Sequence, residues 1–246
     1  MEIRGAVAIV TGASRGIGRA FVERLLARDA AKVYAGSRDP KVHRGLAACD
    51  PSRVVPLALD VTDPAAVAQA ASVASDVNVV VNNAGVMSLG GFLSAPSLDA
   101  ARIEMETNYF GALAMIRLFA PVLARNGGGA IVNMLSIAAH VSIPAVASYS
   151  ASKAAARSMT QAVRAELAAQ GTHVVGVFPG PVDTEMAVSL SGEKASPTEV
   201  VDRVLDAVRD EVEDVYPDAY ALKLKEKLER DAKAVEKKLA AAVGRR

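Results

Sequence analysis

The sequence predicts an α/β fold: one doubly wound parallel sheet with helices on both faces. Three observations point to it. Short apolar runs with little polar alternation recur along the chain. Amphipathic, helix-like stretches separate them, and the first run ends in a Gly-rich turn that opens a helix. Strands without alternation are buried on both faces, which requires helical layers above and below a parallel sheet. Right-handed crossovers wind such a sheet in both directions and place chemistry outside the carboxyl ends of its strands.

The elements follow in order. Residues 6–12 (AVAIVTG) read as a buried strand, and residues 15–29 as a helix with Ile17, Phe21, Leu25 and Leu26 on one face. Residues 32–37 and 53–61 read as the second and third strands; Pro56 is a poor fit to a central strand. Asp63 is a candidate N-cap and Pro64 a first-turn residue for a helix over 63–74. Residues 78–85 are a strand entering a turn, followed by a long helix over about 98–125 and a strand over 129–136. A helix spans 148–170 and a strand 172–180, ended by Pro179-Gly180; residues 211–218 offer a last strand cut off by Pro217. The total is about seven strands.

Composition narrows the function. The chain has 246 residues, 51% of them hydrophobic, enough for one large domain. A net charge of +1 argues against nucleic acid or an anionic membrane as partner. Cys49 is the only cysteine, so no intrachain disulfide and no Cys-rich metal site is possible; it reads as a plain thiol in a loop. The three histidines lack ligand spacing. The apolar run at the N-terminus stops at Thr11-Gly12, too early for a signal peptide or a span, and a cytoplasmic protein is expected.

The first strand ends in TGASRGIG, residues 11–18. Gly12, Gly16 and Gly18 permit a tight turn and close approach of a phosphate to backbone. The helix that follows offers unpaired N–H groups to an anion, which indicates a dinucleotide site. The second strand ends in Ser37 and Arg38, and Arg15 lies in the glycine loop. Two guanidiniums suit a ribose 2′-phosphate, so NADP(H) is favoured over NAD(H), although Asp39 could pair with Arg38 instead.

Together, T-G-x-x-x-G-I-G, N-N-A-G (82–85), Ser136 thirteen positions before Y-x-x-x-K (Tyr149, Lys153), and then P-G resemble the short-chain dehydrogenase/reductase family in its compact, single-domain branch, a Rossmann-type fold. The match runs from about residue 5 to 185. The resemblance implies that Ser14, Ile17, Asp60, Val61, Asn83, Ala84 and Gly85 line the cofactor cleft, with Asp60 at the adenine. It implies that Pro179, Gly180, Val182 and Thr184 lie on the nicotinamide side, that Asn108 holds a water for proton relay, and that Ser136 binds substrate.

A helix puts positions i and i+4 on one face, so Tyr149 and Lys153 point together towards the cleft. A free phenol ionises near pH 10, and a neighbouring ammonium is expected to bring it towards working pH. Such a tyrosine exchanges a proton with a carbonyl or alcohol oxygen while the cofactor supplies hydride. Met87, Leu89, Phe92, Leu93, Ile143, Val146 and Met186 suggest an apolar substrate pocket. His140 reads as a solvated loop histidine.

The expected activity is carbonyl reductase and, in reverse, alcohol dehydrogenase, on a small to medium apolar ketone, aldehyde or secondary alcohol. The competing reading is a dinucleotide-sensing protein without catalysis, which has no use for the complete Asn–Ser–Tyr–Lys set. The pattern departs from the family in its tail. Residues 1–217 are expected to form the catalytic domain and 218–246 a helical extension, with Leu224, Leu228, Ala232, Val235 and Leu239 at helical spacing. A homo-oligomer, dimer or tetramer, is expected.

Overall fold

In the computed structural model, which describes residues 1–190 and 192–241, the predicted strands form one seven-stranded parallel sheet. They are β1 (Val7–Thr11), β2 (Lys32–Ser37), β3 (Val54–Ala58), β4 (Val79–Asn82), β5 (Gly129–Met134), β6 (Thr172–Val177) and β7 (Asp214–Val215). Their spatial order is β3-β2-β1-β4-β5-β6-β7. The order reverses direction between β1 and β4, and that switch point opens the crevice in which such folds bind ligands. Pro56 is tolerated because β3 is an edge strand; it lies opposite Ala35 with no partner strand beyond.

Two apolar layers sandwich the sheet. On one face, helix α1 (Gly16–Ala27) buries Phe21, Val22 and Leu25. Beside it lies α7 (Pro197–Arg209), which the sequence reading passed over. Its Val200, Val201, Val204, Leu205 and Val208 form one buried stripe, and Arg24 and Arg28 of α1 pair with Asp202 and Asp206 at 2.7–3.1 Å. On the other face pack α3 (Pro64–Val73), α5 (Ala112–Arg125) and α6 (Ala147–Leu167) around Met115, Phe119, Leu123 and Met159. Full burial of each such side chain contributes roughly 1.5–3 kcal/mol.

Two local departures matter. Residues 44–49 form a short helix, α2 (Arg44–Cys49), rather than a loop; the Cys49 side chain lies outside the described residues. The long helix is α4 (Asp99–Met105) joined to α5 by a π-helical turn, Glu106–Gly111, which carries Asn108. Such turns recur at functional sites. Residues Asp99–Arg125 are long and apolar enough to cross a membrane by length and composition, but they bury Met115, Ile116, Phe119 and Leu123 in the protein core, along with polar Glu104 and Asn108.

The tail forms α8 (Ala219–Ala240), kinked at Asp231, whose carboxylate accepts from Ala234 N at 2.9 Å and caps the second half. Of its apolar stripe only Val235 is fully buried, Leu224, Leu228 and Leu239 are partly covered, and Ala232 is exposed.

Candidate active site

A cleft of about 1620 Å³ runs across the carboxyl ends of the strands. Every cofactor-binding and catalytic residue expected from the sequence lines it except Asn108, which is buried behind it. The first wall is the glycine loop. Gly12 adopts φ +64°, and a Cβ on Gly18 would lie 2.2 Å from the Gly12 carbonyl, so helix and strand approach as no other residue allows. Arg15, at the N-cap of α1, makes no side-chain capping bond, and no acidic residue sits in the first turn. The first N–H groups of α1 therefore remain open to an anion.

The NNAG turn is laced to this loop. Thr11 Oγ1 accepts from Asn83 N and Ala84 N at 3.0 and 2.9 Å, and Asn83 Nδ2 donates to the carbonyls of Thr11 and Gly12 at 2.9 and 3.2 Å. One turn thus fixes both sides of the crevice.

At the end of the cleft expected to take the adenosine, the ambiguity over Asp39 resolves. Its carboxylate accepts from Lys41 N at 2.9 Å and caps the 3-10 turn Pro40–His43, so it is engaged away from Arg38. Arg38 forms no ion pair among the described residues. Arg15, by contrast, is paired with Glu185 across the cleft, so the two guanidiniums are not both free. Asp60 also lines this end. The backbone N–H and hydroxyl of Thr62, with Arg38 nearby, hold its carboxyl below the usual carboxylate range.

Ser136, Tyr149 and Lys153 converge where β5 and α6 meet. Lys153 is 5% exposed, donates to the Met134 carbonyl at 2.7 Å, and lies 5.7 Å from the centroid of the Tyr149 ring. Burial pulls its pKa down to about 8. Burial pushes Tyr149 up to about 12; the Ser136 hydroxyl pulls the other way, and the charge of Glu104 adds to the rise. This corrects the sequence expectation. In the protein alone, desolvation of the phenolate outweighs the ammonium, which is itself desolvated and committed to a carbonyl.

Asn108 is engaged on every side. Its Oδ1 accepts from Val86 N, and its Nδ2 donates to Val86 O and Ser152 Oγ, all at 2.9 Å. Glu104, one turn earlier on the same face, accepts from Ser88 N at 2.6 Å and is fully buried. The pair clips the 86–88 segment to the helix. Sequence reasoning missed Glu104, although its i, i+4 relation to Asn108 was there to read.

The apolar wall contains Met87, Ile143, Val146 and Met186 as expected. Leu89, Phe92 and Leu93 do not reach it; they sit exposed on the loop before α4. The tail supplies wall instead, through Asp218, Tyr220 and Lys223. Asp218 Oδ2 accepts from Gly180 N and its Oδ1 from Ala221 N, each at 2.8 Å, tying the start of α8 to the Pro-Gly segment.

His140 is partly buried rather than solvated. Its Nε2 is 3.1 Å from the Tyr216 hydroxyl and its ring 4.4 Å from that of Phe178. Burial, helped by Arg157, lowers its pKa to about 4 against an ordinary 6.5. The unfolded chain then binds a proton below pH 6.5 that the native protein refuses until about pH 4, so stability is lost as pH falls through that window. Allowing for partial exposure, the loss at pH 5 is about 1–2 kcal/mol, or roughly 2–8 °C in Tm. His140→Gln keeps a hydrogen-bonding group and removes the titration. Melting curves at pH 7 and pH 5 are expected to show a smaller drop in the variant than in wild type; equal drops would contradict this account.

Comparison with known proteins agrees with this geometry. Residues 6–195 match the short chain dehydrogenase family. A short chain dehydrogenase of Monascus purpureus is 34% identical over 198 residues, which span 76% of this chain and 68% of that protein. A short chain dehydrogenase from Burkholderia cenocepacia, solved with NADP, is 46% identical, superposes with a TM-score of 0.92, and is covered over 97% of this chain and 99% of its own. Another from Burkholderia phymatum, solved with NAD, is 25% identical with a TM-score of 0.84 over 95% and 96% of the two chains. The chain belongs to the short-chain dehydrogenase/reductase family of oxidoreductases.

Proposed function

We propose that the protein is an NADP(H)-dependent carbonyl reductase, reversible as an alcohol dehydrogenase, acting on a small to medium apolar ketone, aldehyde or secondary alcohol. The observation that carries the reading is the convergence of Ser136, Tyr149 and buried Lys153 on a cleft whose other wall is the glycine loop. A sensor of dinucleotides has no need of that trio.

The glycine loop and the N-terminus of α1 fit a pyrophosphate, Ser37 and Arg38 a 2′-phosphate, Asp60 and Val61 the adenine, and residues 83–85 and 179–184 the nicotinamide half. When bound, the reduced nicotinamide supplies the hydride. The chain supplies the proton and the orientation. At neutral pH Tyr149 holds its proton, ready to pass it to the carbonyl oxygen as the C–H bond forms. The Ser136 hydroxyl hydrogen-bonds the same oxygen and stabilises charge growing there. Tyr149 is left as a phenolate beside the Lys153 ammonium, which the Met134 carbonyl holds in place.

Loss of NADPH absorbance with a panel of apolar ketones and aldehydes tests the activity; no turnover with any of them would remove it. Preference for NADPH rests on Arg38. Replacing Arg38 by Asp is expected to shift the NADPH/NADH ratio of kcat/KM towards NADH by roughly 10- to 100-fold. An unmoved ratio would place the preference elsewhere.

A further inference from the structure

His43 is polar, yet it is only 1% exposed. It closes the 3-10 turn after β2, and its Nε2 lies 2.8 Å from Ser37 Oγ. Ser37 Oγ in turn donates to the Asp39 carbonyl at 2.8 Å. A hydroxyl has one hydrogen to give. Since that hydrogen goes to Asp39, the histidine must be the donor, with its hydrogen on Nε2.

We propose that His43 is a specificity-determining residue for the 2′-phosphate of NADP(H), acting through Ser37 as a positioning residue. This deepens the NADP(H) reading above and rests on it. Ser37 and Arg38 stand together on the wall of the cleft, Ser37 almost buried and Arg38 open. His43 satisfies the serine oxygen from behind. The serine hydrogen is therefore the movable part of the chain: it can turn from the Asp39 carbonyl to a phosphate oxygen while the oxygen keeps its donor. A hydrogen bond to a charged acceptor is about twice as strong as one to a neutral carbonyl, so the turn is favourable for a phosphate. A donor behind the hydroxyl also polarises it towards giving its hydrogen. A ribose that carries a hydroxyl at the same position offers no such gain, so the device discriminates between the two cofactors.

An apolar side chain at 43 would fill the space under the turn but leave Ser37 without its donor. Binding of 2′,5′-ADP and of 5′-ADP, measured by calorimetry without substrate or turnover, separates the two effects. In His43→Leu the ratio of the two affinities is expected to fall about tenfold, the scale of one hydrogen bond to a charged group. His43→Gln, which can present an N–H to the serine, is expected to recover most of that ratio. Ser37→Ala should give the same loss as His43→Leu, and the double variant no further loss, because both remove one relay. If His43→Leu is too unstable to assay, His43→Met takes its place in the cycle, and a ratio left intact by Ser37→Ala overturns the inference by itself.

Equal weakening of both ligands in His43→Leu would show a merely structural histidine and overturn the inference. Additive losses in the double variant would overturn it as well. If the wild type fails to prefer 2′,5′-ADP, the NADP(H) reading falls and takes this inference with it. If the wild type prefers it and His43→Leu leaves the ratio intact, only the inference falls.

Discussion

Tyr149→Phe is expected to lower kcat for carbonyl reduction by about 100- to 10,000-fold, the range spanned by loss of a positioned proton donor. Affinity for NADPH is expected to move by no more than roughly threefold, because an interaction made only as the proton transfers is absent from the ground state. The ring itself stays: it is half-buried against Lys153, and phenylalanine fills the same volume. Steady-state rates together with cofactor titration by fluorescence check both halves. Turnover close to wild type would remove Tyr149 from the chemistry, whatever else in the cleft survived.

Lys153→Met is expected to separate stability from activity. The lysine's pKa of about 8 lies below its ordinary 10.5. From pH 10.5 down to 8 the unfolded chain gains a proton that the native protein does not, and stability falls; below pH 8 the full penalty is present. Its size at neutral pH is on the order of 3 kcal/mol for such a shift. Methionine of similar length removes that penalty but leaves the Met134 carbonyl without its donor, a loss of about 1–3 kcal/mol. The sum predicts a Tm equal to or a few degrees above wild type, with kcat reduced by about 100-fold or more. A Tm more than about 5 °C below wild type would mean the buried ammonium supports the fold rather than the reaction.

Most of the sheet was legible because buried parallel strands are continuous apolar runs, and the glycine loop because only glycine suits its turn and contacts. The Tyr149–Lys153 pair was legible from helical period only in company with Ser136, Asn108 and the glycine loop. What escaped depends on contacts between residues far apart in the chain. The pairing of Arg15 with Glu185, 170 positions away, and of His140 with Tyr216, 76 positions away, leaves no local pattern. The acidity of Tyr149 escaped for a related reason: the ammonium is visible in the sequence, whereas the depth of burial that opposes it is a property of the assembled cleft. Helix α7 is the exception. Its valine stripe at helical spacing was readable and simply went unread.

Asp218 is one carboxylate shared by two amides, one in the Pro-Gly segment and one in the first turn of α8. The last helix is thereby hinged to the Pro-Gly segment on the wall of the cleft, and Tyr220 and Lys223 stand beside that hinge. A change of sequence in this appendage would reshape the cleft wall while Ser136, Tyr149 and Lys153, carried on other elements, stay in place. On the proposed chemistry, the tail is where a choice of substrate would be rewritten.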